Sequence, residues 1–130
     1  MITHLCLDPG LKYTGVAISY EGELSQPHTT IVSRDISHLI RQLRQLISQL
    51  SPLEIIIGQP EQGSLHAFSA QIKVMLQDHF SGLITLYPED NTSKDANHLL
   101  ITTKTSKVKR DSVLHQVAAA LILQDYLDNI

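Results

Sequence analysis

An α/β fold built on a mixed five-stranded sheet is what this sequence predicts, a three-strand antiparallel meander followed by strand-helix alternation with helices on both faces. Three observations lead there. Three strand-like runs, Ile2 to Asp8, Tyr13 to Tyr20 and Glu23 to Val32, follow one another across short polar or glycine-containing turns, which is the pattern of a meander. A long amphipathic helix comes next. Two short and almost wholly apolar runs, Glu54 to Gly58 and Leu83 to Tyr87, then alternate with helical segments, as strands covered on both faces do.

The elements can be justified in chain order. In the first run an apolar strand stops on a carboxylate, Asp8, before Pro9-Gly10 turns the chain. The second run returns with Gly15 beside the end of the first, and the missing Cβ leaves room there for a phosphate or metal to approach. Ile36, Leu39, Ile40, Leu43, Leu46, Ile47 and Leu50 recur at helical spacing, with Arg41, Arg44 and glutamines on the other face and Ser51-Pro52 as the stop. Leu65, Phe68, Ile72, Met75 and Leu76 mark a second amphipathic helix between the two buried strands. After Tyr87 the chain reads as a polar helix opening near Asn91-Thr92, a basic loop from Lys104 to Arg110, and a final helix from about Asp111 to Leu127. The expected order is βββαβαβαα.

Composition limits what such a chain does. With 130 residues, 42% of them hydrophobic, it suits one domain over residues 1–130 with a real core. A net charge of −3 argues against global attraction to a polyanion, so any such contact needs a local basic patch. The single cysteine, Cys6, sits in an apolar strand as a small buried hydrophobe, which suits a reducing cytosol. No leader-like stretch, bilayer-length apolar run or repeat is visible, so a cytoplasmic protein without membrane contact is expected. The seven histidines show no metal-ligand spacing, so no zinc site is expected.

Ligands of such sheets gather at the carboxyl ends of the strands. Asp8 ends the first strand, Gly58-Gln59-Pro60-Glu61 ends the fourth, and Glu89-Asp90 follow the fifth, so acids converge on one rim. Paired carboxylates of this kind hold Mg²⁺ or Mn²⁺ through hard oxygen ligands, often as two ions about 4 Å apart that activate water and neutralise a leaving oxygen. The alternative is that Asp8 only initiates an Asp-Pro-Gly turn. Lys104, Lys107, Lys109 and Arg110, with Lys12, are the candidate phosphate-binding cations, the alternative being a solvated surface run. No aromatic residues are interleaved among the four clustered cations to stack bases, which points to backbone and shape recognition.

Several segments together resemble one family. They are Leu7-Asp8-Pro9-Gly10-Leu11-Lys12-Tyr13-Thr14-Gly15-Val16-Ala17-Ile18-Ser19, Gln26-Pro27 with Thr29-Thr30-Ile31, Ile55-Ile56-Ile57-Gly58-Gln59-Pro60, Glu89 with Thr92-Ser93, and Ala118-Ala119 with Ile122-Leu123-Gln124-Asp125-Tyr126-Leu127. In this order, over nearly the whole chain, they are similar to the YqgF (RuvX) family. The resemblance implies an RNase H-like fold related to the RuvC junction resolvases, and a divalent-metal nuclease that processes the 5′ end of pre-16S ribosomal RNA. Asp8 matches the family's first-strand metal ligand and Glu89 its strand-five acid. His115 stands where the family has the Asp that opens its last helix, and as a neutral imidazole it suits Mn²⁺ better than Mg²⁺. Asp111, four residues earlier on the same helix face, is available to supply the missing carboxylate.

Other departures are Pro88 for the acid before Glu89, Asp90 for the Arg after it, and Tyr20 for an acid after Ser19, with Glu61 and Asp90 as possible compensating acids. The expected catalytic set is therefore Asp8, Glu89 and His115, with Asp111 as a further metal ligand. RNA, as precursor rRNA or pre-ribosome, is the expected partner of a monomer or weak homodimer. Two alternatives are a nuclease for branched DNA and a non-catalytic RNA- or ribosome-binding domain. An actin-like kinase opens with a similar hairpin but needs two such domains, which this length does not supply.

Overall fold

The computed structural model describes residues 1–89 and 107–130, the side chains of the second segment from position 113 onward. The order is β1 (His4–Asp8), β2 (Tyr13–Ser19), β3 (Gln26–Val32), α1 (Ile36–Leu50), β4 (Glu54–Pro60), α2 (Ser64–Gln77), β5 (Leu83–Glu89) and α3 (Lys107–Asp128). One sheet of order β3-β2-β1-β4-β5 carries all five strands. β1 pairs antiparallel with β2 and parallel with β4, and β4 pairs parallel with β5. The mixed sheet follows from the connections: short turns return the chain antiparallel through β3, whereas α1 and α2 carry it back for parallel pairing. The polar helix expected near Asn91-Thr92 lies outside the described residues.

Strand alternation divides the core in two. Leu5, Leu7, Val16, Ile18, Ile55 and Ile57 point to one face and are buried against Leu39, Ile40, Leu43 and Ile47 of α1 and Ile72 and Leu76 of α2. Cys6, Ala17 and Ile56 point to the other and meet Ala119, Ala120, Ile122, Leu123 and Leu127 of α3. Both partners on this second face are rich in small side chains, so α3 packs close to the sheet. Cys6 is fully buried, as expected of a small hydrophobe.

Several boundaries shift for local reasons. β3 begins at Gln26 rather than Glu23, because the preceding residues are tied to α3: Ser25 Oγ donates to the Ala120 carbonyl at 2.6 Å, Ser25 N–H donates to Gln124 Oε1 at 2.9 Å, and Gln124 Nε2 donates to the Glu23 carbonyl at 2.9 Å. β4 runs on to Pro60 and β5 to Glu89, so Glu89 is the last residue of its strand, not a loop residue after it. The prolines fit because β4 has lost its β1 partner beyond Ile57 and β5 is an edge strand. α3 starts at Lys107, not Asp111, so Lys107, Lys109 and Arg110 belong to helical backbone rather than to a loop. Cations are disfavoured at a helix start by the macrodipole, which made Asp111 the better sequence signal, but Lys and Arg are good helix formers and no breaker follows Lys107. α1 is capped by Asp35, whose carboxylate accepts from His38 N–H at 2.8 Å, and ends on Ser51 in the left-handed region (φ 47°) before Pro52.

Candidate active site

Asp8 sits at the C-terminal end of the central strand, on the face covered by α3, and is 6% exposed. Glu89 ends β5 on the same face, and its carboxyl is hydrogen-bonded to that of Asp8. β4 lies between them. A Cβ built on Gly58 of β4 would stand 2.9 Å from a methyl of Ile122 in α3 and in ordinary contact, 3.4 Å, with Glu89 Oε2, so the glycine chiefly lets α3 lie close over the strand between the two acids. Burial pushes the Asp8 carboxyl well above the usual carboxylate range, and the Glu89 charge and hydrogen bond push it further. The Cys6 thiol, two residues before Asp8 on the same face, is likewise raised, by burial first and then by the charges of Asp8 and Glu89. Two acids held together out of water bind a proton between them, or a cation in its place.

Gly15 is opposite Asp8, as the turn at Pro9-Gly10 suggested, but the space beside it is not open to a phosphate or metal. A Cβ there would overlap the carbonyl of His115 and stand 2.8 Å from the Gln116 nitrogen, so the backbone of α3 occupies the room that glycine leaves. This contact places His115 next to the Asp8 end of β1. The imidazole stacks on Tyr13, with ring centroids 5.2 Å apart and planes 21° apart, and Lys12 Nζ lies 5.2 Å from the centroid of the Tyr13 ring. Tyr13 went unnoticed as a site residue in the sequence. The signal was there: Tyr13 lies two positions before Gly15, hence on the same face of β2 and under the same turn of α3.

Among the described residues no group of three or more His, Cys, Asp or Glu is gathered closely enough to hold a metal ion. The sequence-derived set thus divides. Asp8 and Glu89 are in contact, and His115 and Lys12 are joined through Tyr13 on the same rim. Asp111, Lys107, Lys109 and Arg110 lie in α3 where side chains are not described, and Lys104 and Asp90 lie outside the described residues altogether. Glu61 is exposed just beyond β4. Two of the departures point away from the acids or lie far from them. Tyr20 follows the end of β2 that pairs with the start of β1, at the opposite rim, and Pro88 alternates with Glu89 on β5 and is exposed.

The donor chemistry suits a divalent cation. Two oxygen-donor carboxyls in contact, one of them buried and held toward its protonated form, lose their mutual repulsion when a dication replaces the proton, and hard oxygen ligands favour Mg²⁺ or Mn²⁺ over softer metals.

Comparison with known proteins bears on the family and the fold. The chain is 35% identical over 130 residues to a protein of Thermoanaerobacter pseudethanolicus named pre-16S rRNA nuclease, covering 95% of this chain and 94% of that one. A protein of the same name from Geobacillus kaustophilus is 31% identical, with 96% of each chain covered. Among solved structures, the RuvC of T. thermophilus in complex with a Holliday junction substrate superposes with a TM-score of 0.59 at 14% identity, over 98% of this chain and 94% of that one, which identifies the fold as RNase H-like. The profile of RuvX, described as Holliday junction resolvase, matches residues 2–129, and the chain belongs to that family.

Proposed function

We propose that this chain is a divalent-metal-dependent nuclease of 1–130 as one domain, acting in the cytoplasm on the 5′ region of pre-16S rRNA. The observation that carries the reading is the buried contact of Asp8 with Glu89 at the rim where β1, β4 and β5 end. Family membership and the names of the relatives supply the substrate class. In this reading Asp8 and Glu89 hold the cation, and His115, with Asp111 one turn earlier on α3, completes its surroundings. Bound there, a divalent ion supplies an activated water and neutralises charge on the leaving oxygen. The chain's own contribution is positional. Asp8 is fixed by its pairing with Gly15 at the end of the central strand, Glu89 ends the neighbouring β5 on the same face, and His115 is held by the packing of α3 on Gly15 and Tyr13. Lys12, Lys104, Lys107, Lys109 and Arg110 keep the phosphate backbone against this rim.

A second reading, cleavage of branched DNA, is favoured by the likeness to RuvC bound to a Holliday junction and by the family's own description. A symmetric dimer would accompany it, whereas the RNA reading is that of a monomer or weak homodimer. One assay separates the two: purified protein is incubated with precursor rRNA and with a four-way DNA junction, each with Mg²⁺, Mn²⁺ or chelator. Cation-dependent cleavage of the RNA alone is expected. Cleavage of the junction alone would move the assignment to DNA, and turnover of neither would leave a binding domain without catalysis.

A further inference from the structure

The outer face of α1 is unlike the rest of this acidic protein. Its apolar stripe, Leu39, Ile40, Leu43 and Ile47, is spent on the core, and what remains exposed is cationic, amide or hydroxyl. Arg41, Arg44, Gln45 and Ser48 recur at spacings of three and four and form one row. Gln42, Gln45 and Gln49 form the next. Two open hollows lie along these rows. One, of about 840 Å³, is lined by Arg41, Arg44, Gln45, Ser48, Gln49 and His79 with the edge of Ile47. The other, of about 250 Å³, continues from Gln42, Gln45 and Gln49 to Thr29 and Ile31 of β3.

Among the described residues no acid lines either hollow, although the chain carries 13 Asp and Glu against 10 Lys and Arg. Of the acids near these residues along the chain, Asp35 uses its carboxylate as the N-cap of α1, and Asp78, which precedes His79, is exposed at the end of α2 without lining either hollow. No aromatic residue other than His79 lines the strip, so it offers guanidinium, amide and hydroxyl donors without a stacking platform. That donor set matches phosphate and sugar oxygens, not base faces. The strip is also on the α1/α2 side of the sheet, opposite the face on which Asp8, Glu89 and α3 lie.

We infer that the Arg41/Arg44 face of α1 is a second nucleic-acid backbone site, which grips a structured RNA at a distance from the cleavage rim. This rests on the proposed function for the identity of the polyanion and extends it to where a folded substrate is held. Charge complementarity selects a phosphate backbone as the occupant, because two exposed arginines among amides, with no acid among the described lining residues, form a local positive patch on a protein of net charge −3.

The test uses the full chain carrying Arg41→Gln and Arg44→Gln, titrated by fluorescence anisotropy against a labelled RNA hairpin over a range of salt concentrations, with a labelled poly-glutamate peptide in a parallel arm. Both arginines are exposed, and circular dichroism and melting temperature should match the wild type. The expected result is hairpin binding weakened about tenfold at low salt, with the slope of log K against log salt reduced by about two, since each lost phosphate contact releases about one fewer counterion. Hydrolysis of bis(p-nitrophenyl) phosphate, which is too small to reach α1 and the rim together, should be unchanged. Hairpin affinity and salt slope equal to wild type would overturn the inference while leaving the nuclease reading intact. Arginine-dependent binding of the peptide, with no such effect on RNA, would overturn it in favour of an acidic protein. Conversely, an arginine-dependent salt slope in a protein that cleaves no RNA would uphold the surface and sink the reading of the chain as an RNA nuclease.

Discussion

Single side chains already carry testable weight. Thr14 is fully buried on the α1/α2 side of β2, and its Oγ1 has no hydrogen-bond partner among the described residues. An unsatisfied buried hydroxyl costs about 1–3 kcal/mol, so Thr14→Val, which keeps the shape and removes the polar atom, should stabilise the fold by about 1 kcal/mol in urea unfolding. His115 is the residue on which the site's metal preference turns. As an imidazole ligand it is softer than the carboxylate it replaces, so Mn²⁺ should outperform Mg²⁺. His115→Asp should retain activity and shift it toward Mg²⁺, while His115→Ala should be severely impaired in the same cleavage assay. Wild-type rates for both variants would reduce the histidine to a packing partner of Tyr13.

At the scale of elements, the contact of α3 with β2 is the joint on which the site depends. Gly15→Ala would drive a methyl into the His115 carbonyl, where backbone, not a flexible side chain, has to yield. The expected cost is about 3 kcal/mol of stability by denaturant titration, with cleavage lost at temperatures where the variant is still folded, because His115 is displaced from Asp8. The early turns of α3 bring a different test. Lys107→Gln with Lys109→Gln should weaken RNA binding alike across sequences and lower the salt slope by roughly one to two, with no change in melting temperature. The sequence made most of this architecture legible. Alternation in β1 and β2 and the 3.6-residue stripe of α1 reported which faces are buried, because burial imposes those periods directly. Asp8 and Glu89 were legible as strand-end acids. The role of Gly15 was misread because a missing Cβ signals close approach without saying what approaches, and here it is another backbone. The Tyr13 stack and the place of Gly58 stayed hidden for the same reason: both are relations between strands and helix that no local pattern records.

For the molecule as a whole, the two carboxyls at the rim set how stability responds to pH. Because burial and Glu89 raise the Asp8 carboxyl in the folded state, the fold holds a proton that the unfolded chain releases near pH 3.9. Between that pH and the raised value the folded state binds more protons than the unfolded one, so the metal-free protein should lose stability as pH increases across this window. Asp8→Asn should remove that decline and abolish metal-dependent cleavage. Mn²⁺ or Mg²⁺ should raise the melting temperature of the wild type, more so at higher pH, and leave the variant unmoved. A variant that cleaves at the wild-type rate would end the assignment of this rim. Strand order has its own bearing on when such a protein acts. β1 is the first strand made yet the middle one of the sheet, and its second neighbour, β4, is synthesised only after β2, β3 and α1. The residues brought to the rim come from positions 8, 89 and 115 of a 130-residue chain. A nascent polypeptide therefore carries no assembled site until its last helix has emerged and docked, and a chain broken before α3 would present Cys6, Ala17 and Ile56 bare to water. On the proposed assignment of Asp8, Glu89 and His115, a chain that ends before α3 lacks both the third site residue and the cover of this face, so completion of the site and protection of the sheet come in the same last step of synthesis.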